Sequence, residues 1–129
     1  MRYPRMNTHL KNTFVILCAV LTIYGCKDEP QRHLQLGQWY SQKGLIDEAI
    51  LEFREVTRLL PGDVKSLSRE NYELLAKAHY SLALMYTKKD WWNYALKEAE
   101  TCFDLLPTKE HYDMVSLLRK RVDLQDIES

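Results

Sequence analysis

Leu36-Gly37-Gln38-Trp39-Tyr40, followed by Gly44, Ala49, Phe53 and Pro61, decides how this chain folds. It reads as two helices joined by a tight turn. Leu36, Trp39 and Tyr40 share one helical face. Gly37 lets a second helix approach closely. Gly44 ends the first helix in the left-handed conformation that a residue without Cβ adopts freely. Ala49, Phe53 and Val56 then recur at i, i+4 and i+7, the buried seam of a second helix. The same landmarks return further along. Leu36 corresponds to Leu82, Gly37 to Ala83, Tyr40 to Tyr86, Gly44 to Asp90, Ala49 to Ala95 and Pro61 to Pro107, each pair 46 residues apart.

Matched landmarks of this kind resemble the tetratricopeptide repeat, whose ordinary period is about 34 residues. The extra dozen residues fall between the copies, at 64–75. The resemblance covers roughly residues 30–109. It implies an all-α fold: two helix-turn-helix repeats at 30–63 and 76–109, and a capping helix over 109–125, in one domain spanning 30–125.

The elements follow in order. Pro30 suits the first turn of a helix, where its missing N–H is not needed, and helix 1 is expected over 30–43. Helix 2 is expected over 46–60, stopped by Pro61-Gly62-Asp63. The insert has no Pro or Gly, so it is read as helix rather than loop. Ser66 or Ser68 is its cap. One long helix 3 over 68–88 results, overshooting the ordinary repeat by two to three turns of about 3.6 residues. Leu67, Asn71, Leu74, Leu75, Ala78 and Leu82 give its inner face. Asp90 stands in the slot of Gly44, and Asp tolerates the left-handed conformation better than most residues. Helix 4 is expected over 91–106, with Trp92, Ala95, Ala99 and Cys102 in the repeat's buried slots. Thr108 caps the last helix. Its inner seam is Tyr112, Val115, Leu118 and Val122, its outer face carries Arg119, Lys120 and Arg121, and residues 123–129 are expected to fray. Two repeats are few. Helix 5 and the long helix 3 supply the missing burial, or a second copy does.

The N-terminal segment has its own pattern. Arg2, Arg5 and Lys11 precede an uncharged run over 12–26, and no acid occurs before Asp28. A basic start with a short apolar run has the layout of a secretory signal. The run falls short of the roughly 20 residues a spanning helix needs. Ile23-Tyr24-Gly25-Cys26 resembles a bacterial lipobox, although Leu and a small residue are usual where Ile23 and Tyr24 stand. The resemblance implies a signal peptide over 1–25, lipidation of Cys26 and a short tether over 26–29. An ordinary signal or short anchor with a chance cysteine is the alternative. Several acyl chains on Cys26 would give stable anchoring. Lys27, rather than Asp, follows the cysteine, which in enteric-type sorting favours the outer membrane. The expected place is therefore the bacterial cell envelope, facing the periplasm or exterior.

Charge and chemistry narrow the function. The 18 basic and 18 acidic residues balance, so nothing points to nucleic acid. Removing residues 1–25 leaves 15 basic and 18 acidic residues, a net charge of −3. His33 and His79 occupy the same slot in the two repeats, which argues for packing. His111 is isolated. No paired His, Cys or Glu stands at metal spacing, and Cys102 sits on an apolar seam as a small hydrophobe. No enzyme, metal or cofactor is expected.

Surface remains. In tetratricopeptide proteins the first helices face a concave groove that holds peptides or partner helices. The resemblance puts Gln31, Leu34, Gln38, Ser41 and Gln42 there from the first repeat. It puts Lys77, Tyr80, Leu84, Thr87 and Lys88 there from the second. Gln38 and Leu84 stand where a chaperone-type carboxylate clamp has asparagine, so that clamp is not implied. Trp91 and Tyr94 form a second candidate, an exposed aromatic patch. The alternative is that these rings pack on the overhang of helix 3 near Tyr72. The function implied is a lipid-anchored interaction module that holds protein partners near a membrane. A structural homo-oligomer and an accessory subunit of an envelope enzyme are the alternatives.

Overall fold

The computed structural model describes residues 29–60 and 63–128. The expected leader, Cys26 and the rest of the tether before Glu29 lie outside these residues, as do Pro61 and Gly62. The described residues form helices and turns without strands. The helices are α1 (Pro30–Gln42), α2 (Ile46–Leu59), α3 (Arg69–Lys88), α4 (Trp92–Leu105) and α5 (Lys109–Glu128), with a short 3₁₀ turn at Val64–Ser66 before α3. Each helix packs on its neighbours in sequence, and α1 also touches α3. The two first helices of the hairpins therefore lie side by side, with α2 and α4 behind them.

The turns repeat in atomic detail. The Leu45 N–H donates to Tyr40 O at 3.0 Å, and the Trp91 N–H donates to Tyr86 O at 3.0 Å. Gly44 N–H reaches Ser41 O at 3.1 Å, and Asp90 N–H reaches Thr87 O at 3.1 Å. Gly44 has φ +74° and Asp90 φ +58°, so both left-handed corners form as the residue types require. Further back, His33 Nδ1 meets Glu52 Oε2 at 2.6 Å and His79 Nδ1 meets Glu98 Oε2 at 2.6 Å. Each pair ties the first helix of a hairpin to the second. All these partners are offset by the same 46 residues.

The core runs through both hairpins. Ala49, Phe53 and Val56 are buried in α2, and Ala95, Ala99 and Cys102 in α4. Ser68 caps α3 by accepting the Asn71 N–H at 3.2 Å. Leu74, Leu75 and Ala78 bury the overhang of α3. The Tyr72 hydroxyl donates to Leu105 O, fastening that overhang to the end of α4.

Three expectations need correction. Leu34 is only 4% exposed and belongs to the core, not to the groove. α1 touches both α2 and α3, so its buried arc is wide enough to take in Leu34 as well as Gly37. Trp39, on the face shared with Leu36 and Tyr40, is half exposed, with its ring edge-on to Tyr40 and Lys43 beside it. α1 is the first described element, and no described helix covers that side of it. On α5 the buried seam includes Val115 and Leu118 but not Tyr112, which is exposed beside Phe103. A rotation of 100° per residue moves the seam off it, and half-buried His111 and Met114 flank Val115 and Leu118 instead. Finally, α5 stays helical to Glu128 rather than fraying from residue 123.

Candidate protein-binding groove

The side-by-side placement of α1 and α3 leaves a furrow between them, closed at the far side by the start of α5. Leu84 lies at its centre and is 38% exposed. Towards α1 the furrow is lined by Gln38, Ser41, Gln42, Ser81 and Met85. Towards α5 it deepens to about 520 Å³, with Glu73, Lys77, Tyr80, Leu106, Glu110 and His111 around it. Beyond Leu84 and Thr87 a third recess of about 710 Å³ opens against α5. The three share lining residues and read as one winding depression.

Each wall is held in place. The Tyr80 hydroxyl donates to Glu110 Oε1 at 3.0 Å, and its ring lies 5.4 Å from that of His111. Burial, with this bond to a carboxylate, raises the pKa of the Tyr80 phenol above its ordinary value, so the phenol stays protonated and donating. His111 Nδ1 lies 2.7 Å from Leu106 O, and Thr108 caps α5 by accepting the His111 N–H at 3.2 Å. Thr87 is turned back on its own helix, its hydroxyl donating to Ala83 O at 2.8 Å. The furrow thus has an apolar centre at Leu84 and Tyr80, an amide-rich side from α1, and a mixed-charge side at Lys77, Glu73 and Glu110. Such surfaces bond a partner's backbone with amides and its side chains with the apolar centre.

The structure gathers most of the residues expected there. Gln38, Ser41, Gln42, Lys77, Tyr80, Leu84 and Thr87 line the depression. Leu34 is buried beneath it. Gln31 and Lys88 are exposed but do not line it. The residues that sequence reasoning missed are Glu73, Leu106, Glu110 and His111, which come from the overhang of α3 and from the α4–α5 corner. Only the packing of α5 brings them to Tyr80.

The aromatic patch is a separate place. Trp91 and Tyr94 are exposed and gather with Tyr86, the three ring centroids 5.8–6.2 Å apart. Arg54 of α2 lines the same shallow cleft. Lys89 Nζ sits 4.6 Å from the Trp91 ring centroid and also reaches Asp47. These rings pack on Tyr86 and Lys89 and not near Tyr72, which is engaged with Leu105.

Other chemistry has little footing among the described residues. No cluster of His, Cys, Asp and Glu there is arranged to hold a metal ion. Cys102 is buried, its thiol donating to Ala76 O at 3.3 Å, and burial pushes the thiol up to about 11. A thiol so shifted is a poor nucleophile at neutral pH. No described helix is long and apolar enough to cross a membrane. No protein-family model, no curated protein and no solved structure matches the chain.

Proposed function

We propose that this chain is a tetratricopeptide-type interaction module of a bacterial envelope, lipid-anchored at Cys26, which holds a protein partner in the furrow between α1 and α3. The observation that carries the reading is the furrow itself. It sets an exposed Leu84 among Gln38, Gln42, Lys77 and Tyr80, on two first helices laid side by side. The matched turns, the two His–Glu pairs and the 46-residue offset support the repeat assignment. The basic, apolar and cysteine order of residues 1–26 supports the anchor. An anchored module of this kind concentrates its partner at a surface, so modest affinity in a short groove suffices.

The test is copurification from detergent-solubilised envelopes after mild crosslinking, with Leu84→Glu/Tyr80→Ala alongside. The expected result is one protein recovered with the wild type and lost with the double variant, whose circular dichroism stays helical. Recovery that survives both changes would move the site off the furrow. For the anchor, Cys26→Ala is expected to abolish lipid labelling and to leave an unprocessed precursor or release the protein from membranes. Unchanged labelling would remove the lipobox from the reading.

A further inference from the structure

Helix α5 is apolar on two sides. Val115 and Leu118 are buried against the bundle. On the other side Leu117, Leu124 and Ile127 are 68%, 51% and 80% exposed. Asp113, Leu117, Lys120, Leu124 and Ile127 recur at i, i+4, i+7, i+11 and i+14, the spacing of a single stripe along a helix. α1 is backed by α2 and α3 by α4, whereas no described helix backs α5 on this side. The stripe borders the recess of about 710 Å³, lined by Leu84, Trp92, Met114 and Leu118, with Asp113, Leu117 and Arg121 along its edge.

The charges around Leu117 are disposed symmetrically. Asp113 lies one turn before it and Arg121 one turn after. Neither has an ion-pair partner among the described residues. The Arg121 guanidinium rests 5.0 Å from the Trp92 ring centroid.

We propose that this stripe joins two copies of the chain through antiparallel α5 helices, with the two-fold axis at Leu117. In that register the residue n places before Leu117 faces the residue n places after it in the other copy. Asp113 then meets Arg121 twice over. Lys120 lays its aliphatic stem along Met114 of the second copy, and Leu124 lies against the methylenes of Glu110, whose carboxylate is held by Tyr80. Ile127 reaches the corner of the second copy at Leu106 and Pro107, both exposed. Ten residues separate Leu117 from either end of that contact, about 15 Å of helix. A parallel pairing is disfavoured, because it would set Lys120 against Lys120 and Asp113 against Asp113. A head-to-tail contact is disfavoured too. The exposed side of α1 carries Gln31, Arg32, Gln35 and Gln42 around the half-exposed Trp39, a single apolar side chain to set against three of leucine class. The α5 stripe is matched best by the same stripe of a second copy, and a contact of that kind closes as a dimer. The contact takes the α5 end of the furrow and leaves the part between α1 and α3 to the partner, so this inference does not rest on the occupant of that part.

Oxidative crosslinking of the full-length chain in its own membranes tests it. Leu117→Cys treated with copper phenanthroline should give a disulfide-linked species of twice the mass. The wild type, with its native cysteines, and Leu51→Cys on the outer face of α2 should not give it. Asp113→Arg and Arg121→Asp should each cut the crosslink of Leu117→Cys severalfold, and the two together should restore it. Circular dichroism checks that every variant remains helical. A Leu117→Cys yield no higher than that of Leu51→Cys would overturn the proposal, as would crosslinking only to a different protein. Failure of the charge swap to restore the crosslink would overturn the register.

Discussion

The ring of Phe53 occupies the space in which a side chain at Gly37 would begin. A Cβ built on Gly37 would lie 2.6 Å from Phe53 Cε1 and 2.7 Å from Cδ1. The glycine here is needed for close approach between α1 and α2, since it sits within a helix and its backbone is ordinary. The second hairpin divides the same space differently, with Ala83 in the slot of Gly37 and Ala99 in that of Phe53, both buried.

Gly37→Ala should therefore destabilise the fold by about 1–3 kcal/mol through overpacking, despite the better helix propensity of Ala. Phe53→Ala should cost about 3–5 kcal/mol by opening a cavity. Adding Gly37→Ala to Phe53→Ala should cost less than about 0.5 kcal/mol more, because the new methyl then meets space. Urea unfolding followed by circular dichroism measures all three. Additive costs would show that the two positions do not share their volume.

The two left-handed corners invite a paired experiment. Gly44 has open space around its would-be Cβ, so Gly44→Ala carries only backbone strain, about 1–2 kcal/mol. Asp90 already carries a Cβ at φ +58°. Asp90→Gly should change stability by less than about 1 kcal/mol, as relief of strain offsets the greater freedom of the unfolded chain. Asp90→Val should be the worst of the set, since branching at Cβ is least compatible with this conformation. Thermal melts of the three variants give the order.

Cys102 makes stability depend on alkaline pH. Its thiol ionises at 9.0 in the ordinary case and at about 11 when buried here. Below about pH 9 both folded and unfolded chains keep the proton, and the contribution is fully present. Between 9 and about 11 the unfolded chain loses its proton more readily, which draws the equilibrium towards unfolding. Tyrosines and lysines titrate nearby, so the quantity to measure is the difference between wild type and Cys102→Ala. That difference should be flat from pH 7 to 9 and should shift against the wild type above it. Thiol labelling of the folded protein at pH 8 should be slow and should accelerate in denaturant.

How far the sequence could be read depended on where the packing partners lie. The hairpins, the corners at Gly44 and Asp90, the cap at Ser68 and the long α3 are local, and local spacing specified them. Leu34 was misplaced because burial on α1 depends on what else covers it, which one helix's periodicity does not reveal. Tyr112 was misplaced because steps of three residues drift round a helix of about 3.6 residues per turn, and the residues alone do not say at which end the seam leaves the bundle. The His33–Glu52 and His79–Glu98 pairs were within reach. The offset that paired the histidines pairs Glu52 with Glu98 as well, and half-buried histidines at matched sites call for matched acceptors. Glu110 and His111 at the furrow depended on a tertiary arrangement with no signature in spacing.

The pattern of packing also has a temporal consequence. Apart from the touch of α1 on α3, each helix meets chiefly the one before and the one after it. Chains with such short-range pairing close small loops and fold fast. Either hairpin can nucleate, and the other can be added by propagation along a line, as in other quasi-one-dimensional stacks. For a chain that emerges from a ribosome or a translocon end first, that is a favourable order. α1 and α2 can pair before α5 has arrived, leaving little apolar surface waiting for a distant partner.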